Sequence, residues 1–489
     1  MNVKDLKPKE LWGYFAEMCA IPHPSHHEAE IRNYIVAFAK KHDLDVTVDE
    51  GLNVIVRKPA AAGMEDRATI VLQAHLDMVP QANGDKVNAA GKPFDFTRDA
   101  IEPRIDGDRV KATGTTLGAD NGIGVAAMMS ILASKEIKHG AIEALFTATE
   151  ETGMEGAFGL KEGELQGRIL VNLDSERQNE LCVGCAGGTD ANMEFPYKAE
   201  KAPAGYKAVA VEVKGLKGGH SGIEIIMQRA NANKVLMRTL LPHLGEGVML
   251  ASVDGGGLRN AIPREARAEV VVKPEYYATF VVAVAKMEAT LIDEFKGIED
   301  SISLKVVEAD APAEVFPTEA ALRLARLVCL VPDGVVKMSV AMPGLVQTST
   351  NFARMVSDGK VVKMQSLTRS SARSEKEFVC ERIVAACELA GAKIELTGSY
   401  DGWNPDMSSP ILKTMAASYE ALFGEKPEIT AVHAGLECGI IGGVNPGMDM
   451  ISCGPTIRFP HSPDEEVNIA SVERFWKFLV HTLETAPKK

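Results

Sequence analysis

The first part of the chain alternates between helical and strand-like patterns of apolar residues. Apolar positions recur at helical spacing over residues 8–19 and 28–41. Four short apolar runs predict buried strands, at residues 54–56, 69–76, 141–149 and 168–173. A helical segment at residues 122–133 lies between the second and third runs. This order is typical of a β-α-β crossover, and it predicts a parallel sheet with helices beside it.

The middle of the chain has a different pattern. Alternating strands and helical segments follow one another, at residues 206–213, 229–241, 267–272 and 276–295. A similar order of elements returns weakly between residues 301 and 397, without a clean sequence repeat. From residue 399 onward the helix and apolar-strand pattern of the first part is resumed.

These patterns predict an α/β protein whose mostly parallel sheet domain, with helices on both faces, is interrupted by an α+β insertion. A chain of 489 residues is long enough for two or three domains. We place the two parts of the sheet domain at residues 1–186 and 399–489, and the insertion at residues 187–398. The insertion could consist of two similar α+β halves.

Composition and charge narrow the classes of function. Apolar residues make up 46% of the chain and charged residues 25%, as in ordinary globular enzymes. The net charge of −14, without a basic stripe, argues against a nucleic-acid partner. No apolar run approaches the ~20 residues that span a bilayer, so no membrane partner is expected. The N-terminus lacks the apolar core of a signal peptide, and a cytoplasmic location is therefore expected.

Candidate metal ligands stand where three of the predicted strands end. These strand-end residues are His75, Asp77, Glu150, Glu151 and Asp174. In open α/β sheets, ligands bind just beyond the carboxyl ends of the strands, so the three ends should converge on one place. A further carboxylate, Asp120, lies in the turn that enters the predicted helix at residue 122.

Each candidate also has a purely structural interpretation. Asp120 could cap a helix N-terminus. Glu150 and Glu151 could complement the positive end of a helix that follows them, and His75 could be a hydrogen-bonded core histidine. Asp174 could start a turn. Taken together, however, these residues would crowd several negative charges into one crevice, which is costly unless cations neutralise them.

The ligand types indicate which cation fits. Imidazole and carboxylate without thiolate favour Zn²⁺, Mn²⁺ or Co²⁺ over Ca²⁺. The number of ligands is sufficient for two ions, provided that one carboxylate bridges them. Paired ions about 3.5–4 Å apart are the usual hydrolase arrangement, in which they polarise a carbonyl group and generate hydroxide. We therefore expect two divalent ions per chain, with zinc as the first choice.

The order of these motifs resembles the M20 family of co-catalytic metallopeptidases, and the similarity runs from end to end. The motifs that carry it lie at residues 75–77, 118–122, 148–153, 174, 217–222 and 460–465. With its long insertion, the sequence is most similar to the cytosolic bacterial branch of aminoacyl-histidine (Xaa-His) dipeptidases. This resemblance implies a metallo-dipeptidase, a hydrolase acting on peptide bonds.

The resemblance also implies a set of metal ligands. Asp120 would bridge the two ions, His75 and Asp174 would complete one site, and Glu151 and His461 would complete the other. Members of the family often have a cis peptide bond after the bridging aspartate, which here is the bond that follows Asp120.

Two further roles near the ions follow from the resemblance. Glu150 would be the general base that takes a proton from the water bridging the ions. Asp77 would orient the imidazole of His75, as carboxylates next to ligating histidines do.

The insertion would form a lid over the substrate. By resemblance, His220 in this lid would stabilise the tetrahedral oxyanion, and Asn260 would contact the substrate. Arg369 could hold the C-terminal carboxylate bidentately. The segment 434–439 is interpreted as a loop that lines the pocket, with its backbone approaching the substrate at Gly435.

Several alternatives stay open. The same metal core would serve an M20 tripeptidase, carboxypeptidase or N-deacylase, and a metal-binding scaffold without catalysis is a weaker possibility. A nucleotide-binding transferase or dehydrogenase would use residues 114–124 as a phosphate loop. However, this segment has no G-x-G-x-x-G spacing, and Asp120 would repel phosphate. We expect the substrate to be an unblocked dipeptide, including Xaa-His dipeptides such as β-alanyl-histidine, and we expect a homodimer.

Overall fold

The computed structural model of the protein describes residues 2–489. Among the helices of these residues we find no candidate for a membrane span. The α-helices of the described chain are α1 (Lys9–Cys19), α2 (Ala29–Lys41), α3 (Ala119–Ala133), α4 (Glu155–Gly159), α5 (Ala232–Leu240), α6 (Tyr277–Glu294), α7 (Thr318–Leu330), α8 (Arg373–Ala390), α9 (Pro410–Phe423), α10 (Glu437–Val444) and α11 (Ile469–Glu484). The strands are β1 (Asp45–Val48), β2 (Val54–Lys58), β3 (Ile70–His75), β4 (Pro103–Asp106), β5 (Arg109–Ala112), β6 (Ile142–Thr147), β7 (Ile169–Asn172), β8 (Glu180–Cys185), β9 (Gly187–Pro196), β10 (Glu200–Lys201), β11 (Lys207–Lys214), β12 (Gly219–His220), β13 (Val248–Gly256), β14 (Ala261–Ile262), β15 (Ala266–Val272), β16 (Ser303–Glu308), β17 (Glu314–Val315), β18 (Gly334–Met338), β19 (Val346–Ser357), β20 (Val361–Ser370), β21 (Lys393–Tyr400), β22 (Glu428–Val432), β23 (Asp449–Ser452), β24 (Ile457–Arg458) and β25 (Glu466–Asn468).

The chain forms two compact units. The first unit contains the residues up to Gly184, together with Pro405–Ala431 and Glu437–Lys489. The second unit contains Cys185–Asn404 and the short segment Val432–Leu436.

The first unit is built on an eight-stranded sheet with the order β1-β2-β6-β3-β7-β23-β8-β22. Its four central strands, β6, β3, β7 and β23, are parallel to one another. β3 and β6 are buried at every position, as expected for central parallel strands with continuous apolar runs. The predicted α/β fold class is thereby confirmed. The sequence pattern did not predict the antiparallel pairing of β1, β2 and β8 that flanks the parallel centre.

Helix α3 lies close to the strand ends of this sheet. It is apolar all round and almost entirely buried, as helices within a core are. Gly124 permits this close approach, because a Cβ at that position would lie 3.1 Å from the side chains of both Ala74 and Leu173. The same Cβ would collide with the side-chain oxygen of Asn121, whose amide nitrogen donates to Asp174.

The second unit is built on a nine-stranded sheet. Its strand order is β16-β11-β15-β13-β19-β20-β9-β21, with β18 paired to β19. The residues buried in its core come from this sheet and from helices α5 to α8. Helix α5 begins at Ala232, later than the apolar pattern predicted, because the side chain of Asn231 accepts from Asn233 N and Lys234 N and caps the helix.

Candidate metal centre

Three neighbouring strands of the first unit end at the same edge of the sheet. His75 is the last residue of β3 and is in register with Thr147, the last residue of β6. Gln73 of β3 is in register with Asn172, the last residue of β7. The residues that follow β6 and β7 therefore emerge beside His75, as the sequence predicted.

One group of ligand-type atoms forms around His75. Its Nε2 atom lies 3.2 Å from Oδ1 of Asp120 and 3.4 Å from Oδ1 of Asp174. The ligand-type atoms of these three residues all lie within 4.8 Å of one another. The side chain of His75 is almost fully buried, which fixes the position of the ring.

A second group forms on the other oxygen of Asp120. Nε2 of His461 lies 3.4 Å from Oδ2 of Asp120 and 3.0 Å from Oε2 of Glu151. These three residues also lie within 4.8 Å of one another. The two carboxylate oxygens of Asp120 thus face different groups, which is the arrangement that a bridging carboxylate requires.

The carboxylates draw positive charge onto His75. Burial lowers the pKa of this imidazole, but Asp174, Asp120 and Asp77 more than offset burial and raise the pKa well above its usual value. The pKa of Asp120 is lowered, because hydrogen bonds from both histidines outweigh the effect of burial. The site therefore stabilises positive charge at the ring of His75.

Carboxylates also raise the pKa of His461. Hydrogen bonds to Asp120 and Glu151 raise the pKa of this imidazole to about 10, although burial opposes the shift. Oε1 of Glu151 is buried and, within residues 2–489, has no hydrogen-bond partner. A buried carboxylate oxygen without a donor is costly unless a cation compensates it.

The donor set fits two divalent ions of the zinc type. Each group offers one imidazole nitrogen and carboxylate oxygens, and both groups share Asp120. This combination suits Zn²⁺, Mn²⁺ or Co²⁺ better than Ca²⁺, which takes oxygen ligands. The orphaned oxygen of Glu151 and the raised pKa values of both histidines indicate the same need for cations.

Glu150 lies beside both groups. It forms a third ligand-type cluster with His75 and Glu151 within 4.8 Å. Burial, together with the charges of Asp174, Glu437 and Glu151, raises the pKa of Glu150 well above its usual value. The carboxyl group is therefore a stronger base than an exposed glutamate.

Asp77 holds the turn that carries Glu150 and Glu151. Its Oδ1 accepts from Glu150 N at 2.9 Å, and its Oδ2 accepts from Glu151 N at 3.2 Å. The Nδ1 atom of His75 lies 3.0 Å from the backbone oxygen of Asp77 and 3.5 Å from its Oδ1. The backbone oxygen is thus the nearer partner of the imidazole, while the carboxylate mainly binds the two amides.

The structural interpretations of the acidic residues do not hold. Gly118 occupies the N-cap position of α3, and Asp120 lies inside the first turn with non-helical φ and ψ angles of −83° and 105°. The peptide bond from Asp120 to Asn121 is cis, as the resemblance to the family predicted. Helix α4 begins only at Glu155, so Glu150 and Glu151 precede it by several residues.

In the second unit, hydrogen bonds determine which ring nitrogen of His220 carries the proton. Its Nδ1 atom accepts from Gly222 N and Ile223 N, both at 3.1 Å. The pKa of the ring is lowered by burial and by the charge of Arg369, which favours the neutral imidazole. Because Nδ1 is an acceptor, the proton lies on Nε2, which is left as a donor.

The other predicted substrate contacts also lie in the second unit. His220 is paired with Ala261, the first residue of β14, and Ser221 N donates to the backbone oxygen of Asn260 at 2.8 Å. The hairpin formed by β12 and β14 thus brings His220 and the exposed Asn260 close together. Arg369 lies on β20 in register with Ser349.

Arg369 is a buried cation. It is 7% exposed, its Nε has no hydrogen-bond partner, and no ion pair joins it to a carboxylate within residues 2–489. Its charge contributes to the lowered pKa values of His220 and His433, after burial itself. A buried guanidinium in these surroundings favours an anionic ligand.

The segment 434–439 was predicted to be a loop, and the structure corrects this prediction in part. In the second unit, His433 and Ala434 form a bend and Gly435 has no regular secondary structure. The Nε2 atom of His433 lies 2.7 Å from Oγ of Ser349. In the first unit, helix α10 begins at Glu437, so residues 437–439 are helical.

The side chain of Glu437 explains this early helix start. Its Oε2 accepts from Gln73 Nε2 at 2.6 Å and from Thr147 Oγ1 at 2.8 Å, beneath the strand ends. These two buried contacts fix the first residue of the helix.

Comparison with known proteins identifies the family. Residues 71–485 match Peptidase family M20/M25/M40. The chain belongs to the M20 peptidase family. It is accordingly an enzyme, a hydrolase acting on peptide bonds.

Individual relatives cover the whole chain. The protein is 43% identical over 489 residues to the cytosol non-specific dipeptidase of Escherichia coli (strain K12), and the match covers 100% of both chains. Its structure superposes on the crystal structure of the aminoacylhistidine dipeptidase from Vibrio alginolyticus with a TM-score of 0.95. The two sequences are 45% identical, and the match covers 100% of this chain and 99% of the other. The aminopeptidase PepT from Bacillus cereus shares the fold, with a TM-score of 0.57 and 15% identity, covering 98% of this chain and 99% of the other.

Sequence reasoning missed residues that support the turn of Glu150 in this M20 peptidase. Ser25 donates from Oγ to Asp77 Oδ2 at 2.7 Å. Glu28 accepts from Thr149 Oγ1 at 2.7 Å. Thr149 has a φ of 53°, which is rare for a β-branched residue, so the contact with Glu28 stabilises an otherwise strained conformation.

Proposed function

We propose that this M20 peptidase is a two-metal dipeptidase that hydrolyses the amide bond of unblocked dipeptides. The observation that carries the proposal is the placement of Asp120, whose two carboxylate oxygens face two separate groups of ligand-type atoms. The full-length similarity to relatives named as dipeptidases supports the choice of substrate.

The two groups assign the ligands. His75 and Asp174 would hold one ion, Glu151 and His461 would hold the other, and Asp120 would be shared. When bound, two ions of the zinc type polarise the scissile carbonyl group and lower the pKa of water. We propose zinc as the metal, because imidazole and carboxylate ligands suit it.

Glu150 acts as the general base. Its carboxylate takes a proton from the attacking water and later delivers it to the leaving amine. A general base works best when its pKa is near the operating pH, and burial moves the pKa of Glu150 upward in that direction. Asp77 keeps the carboxylate in place by accepting from the amides of Glu150 and Glu151.

His220 supplies a hydrogen bond to the oxyanion. A neutral imidazole with its proton on Nε2 donates without adding a proton to the reaction. The backbone amides of Gly222 and Ile223 select this tautomer by donating to Nδ1. A donor that is already oriented before the reaction is the kind that stabilises developing negative charge most effectively.

Arg369 binds the C-terminal carboxylate of the substrate, with Asn260 and the backbone at Gly435 as further contacts. The guanidinium is buried and its Nε has no hydrogen-bond partner within the described chain, so it could donate to an incoming carboxylate. Recognition of a free C-terminus would select the last peptide bond of the substrate, and the preference for dipeptides over longer peptides rests on the similarity to relatives named as dipeptidases.

The names of the relatives suggest the range of dipeptides and the location. The Escherichia coli relative is called non-specific and cytosolic, and the Vibrio alginolyticus relative is called an aminoacylhistidine dipeptidase. We therefore propose a broad dipeptide range that includes Xaa-His substrates such as β-alanyl-histidine, and a cytoplasmic location. A homodimer remains our prediction for the oligomeric state.

A panel of substrates tests the proposed function. Purified protein supplied with Zn²⁺, Mn²⁺ or Co²⁺ should cleave several dipeptides, including β-alanyl-histidine. It should cleave the matching tripeptides and N-acyl amino acids far more slowly, because an unblocked dipeptide has its free amino group on the residue next to the scissile bond and these compounds do not. The measurement is kcat/KM for each substrate on one preparation. Equal rates on tripeptides, or a preference for N-acyl amino acids, would assign the protein to another M20 activity.

A further inference from the structure

Glu465 is a buried carboxylate that binds four consecutive backbone amides. It is 2% exposed. Its Oε2 accepts from Leu117 N at 2.7 Å and from Gly118 N at 3.0 Å. Its Oε1 accepts from Ala119 N at 2.8 Å and from Asp120 N at 3.3 Å. One side chain therefore holds the whole turn that leads to Asp120.

This turn has no local means of satisfying its amides. The first N–H groups of a helix have no partner within the helix, and Gly118 at the N-cap has no side chain that could accept from them. Gly118 has a φ of 71°, and Asp120 has non-helical angles, so the backbone here departs from the path of α3. A carboxylate also complements the positive end of the helix dipole. The conformation that presents Asp120 thus depends on Glu465.

Glu465 also closes the loop that carries His461. Its backbone N donates to Ser462 O at 3.0 Å. His461 has a φ of 60° and Phe459 a φ of 54°, both uncommon for residues other than glycine. The side chain of His461 is 52% exposed, so burial does not hold it in place. The buried anchor of this loop lies four residues later, at Glu465.

We propose that Glu465 is a positioning residue that fixes Asp120 relative to His461. It joins residues 117–120 at the start of α3 to the late loop, and these two segments supply the pair whose atoms His461 Nε2 and Asp120 Oδ2 lie 3.4 Å apart. Both carboxylate oxygens of Glu465 accept from backbone amides, so Glu465 would act through Asp120 and not as a ligand. This inference rests on the proposed function, because it assigns Glu465 to the ion held by Asp120, Glu151 and His461.

The chain offers a matched control in the neighbouring residue. Glu466 is also buried, with 4% of its side chain exposed, and it forms ion pairs with Arg109 and Lys111. It lies on β25 in register with Lys111 of β5. Loss of its charge removes a buried ion pair close to Glu465 without removing an acceptor from the turn of Asp120.

The test compares Glu465→Gln with Glu466→Gln in the full-length protein. An amide has the size of the carboxylate, but only its oxygen can accept, so two of the four backbone amides lose their partner. We expect Glu465→Gln to weaken the binding of at least one of two Zn²⁺ ions by ~10–100-fold, the usual effect of losing a residue that orients metal ligands. The visible absorption of the Co²⁺-substituted protein should also change. Glu466→Gln should retain the wild-type zinc affinities and cobalt spectrum.

Zinc affinities are measured by competition with a chromophoric chelator, and folding by circular dichroism. Folded Glu465→Gln with wild-type affinities and an unchanged cobalt spectrum would overturn the inference, as would an equal loss in Glu466→Gln. Should Glu465→Gln fail to fold, Glu465→Asp replaces it, because this variant keeps the charge but falls one methylene short. A weakened ion in folded Glu465→Asp supports the inference, and wild-type affinities overturn it. Wild-type protein that binds fewer than two ions or cleaves no dipeptide overturns the proposed function instead.

Discussion

Replacement of Glu150 by glutamine is expected to lower kcat for dipeptide hydrolysis by ~10²–10⁴-fold, the usual contribution of a general base. The amide cannot take a proton from water, but it has the same shape as the carboxylate and can keep the backbone turn intact. Asp77 binds that turn through the amides of residues 150 and 151, not through the side chain of Glu150. Both ions should therefore stay bound, with the KM for the dipeptide little changed.

The matched variant is Glu151→Gln. Oε2 of Glu151 lies 3.0 Å from Nε2 of His461, so its loss should weaken the binding of one ion as well as lower turnover. Glu150 also lies within 4.8 Å of ligand atoms of His75 and Glu151, so its position alone does not distinguish a base from a metal ligand. The comparison of the two variants makes this distinction. Measurement of kcat and of metal per chain on both variants separates the two roles. Loss of an ion in Glu150→Gln, with full metal content in Glu151→Gln, would show that the two roles are reversed.

Replacement of His220 by alanine is expected to lower kcat by ~10²–10³-fold, the usual effect of removing one oxyanion donor. Metal content should not change, because the histidine belongs to neither ligand group. Two further variants distinguish donation from a structural effect. His220→Asn can still accept from the amides of Gly222 and Ile223 but has no donor at the ε position, so it should be as slow as His220→Ala. His220→Gln places an N–H near the Nε2 position and should recover part of the rate. Wild-type turnover in His220→Ala would refute the role.

A mixing experiment then locates the donor. His220→Ala and Glu150→Gln are each expected to be slow alone. When the two variants are mixed and mixed dimers are shown to form, only a histidine acting across the dimer can rebuild an intact site. Recovered activity would place His220 in trans, and its absence would place it in cis.

The metal centre could be predicted from the sequence because most of its ligands follow strands with clear apolar patterns. β3, β6 and β7 are short and fully buried, so their ends could be located within one or two residues. Parallel neighbours bring their carboxyl ends together, and this rule was sufficient to place His75 beside Asp174. The resemblance to the M20 family then supplied His461, which no local pattern connects to the other ligands.

The supporting residues could not be found in this way. Ser25 binds Asp77 across 52 positions of sequence, Glu28 binds Thr149 across 121, and Glu465 binds Ala119 across 346. Each is an ordinary polar residue in its own segment, and its role arises only from tertiary contact.

The sequence pattern also did not predict the long strands β19 and β20 or the start of helix α10. β19 and β20 are long strands, but their buried positions include threonine, serine and asparagine, which obscures the apolar alternation. The start of α10 was missed because Glu437 is held by side chains from two distant strands, Gln73 and Thr147. For α10, tertiary hydrogen bonds therefore determine a helix start that the local pattern does not show.

Dipeptide hydrolysis should depend on two ions held by the groups that share Asp120. A zinc titration of verified metal-free protein tests this dependence, with bound zinc per chain and the rate of dipeptide hydrolysis measured on the same samples. We predict no hydrolysis without metal, and a rate that recovers as zinc binding saturates at two ions per chain. Full activity in the metal-free protein, or saturation at a single ion with full activity, would show that hydrolysis does not require two ions.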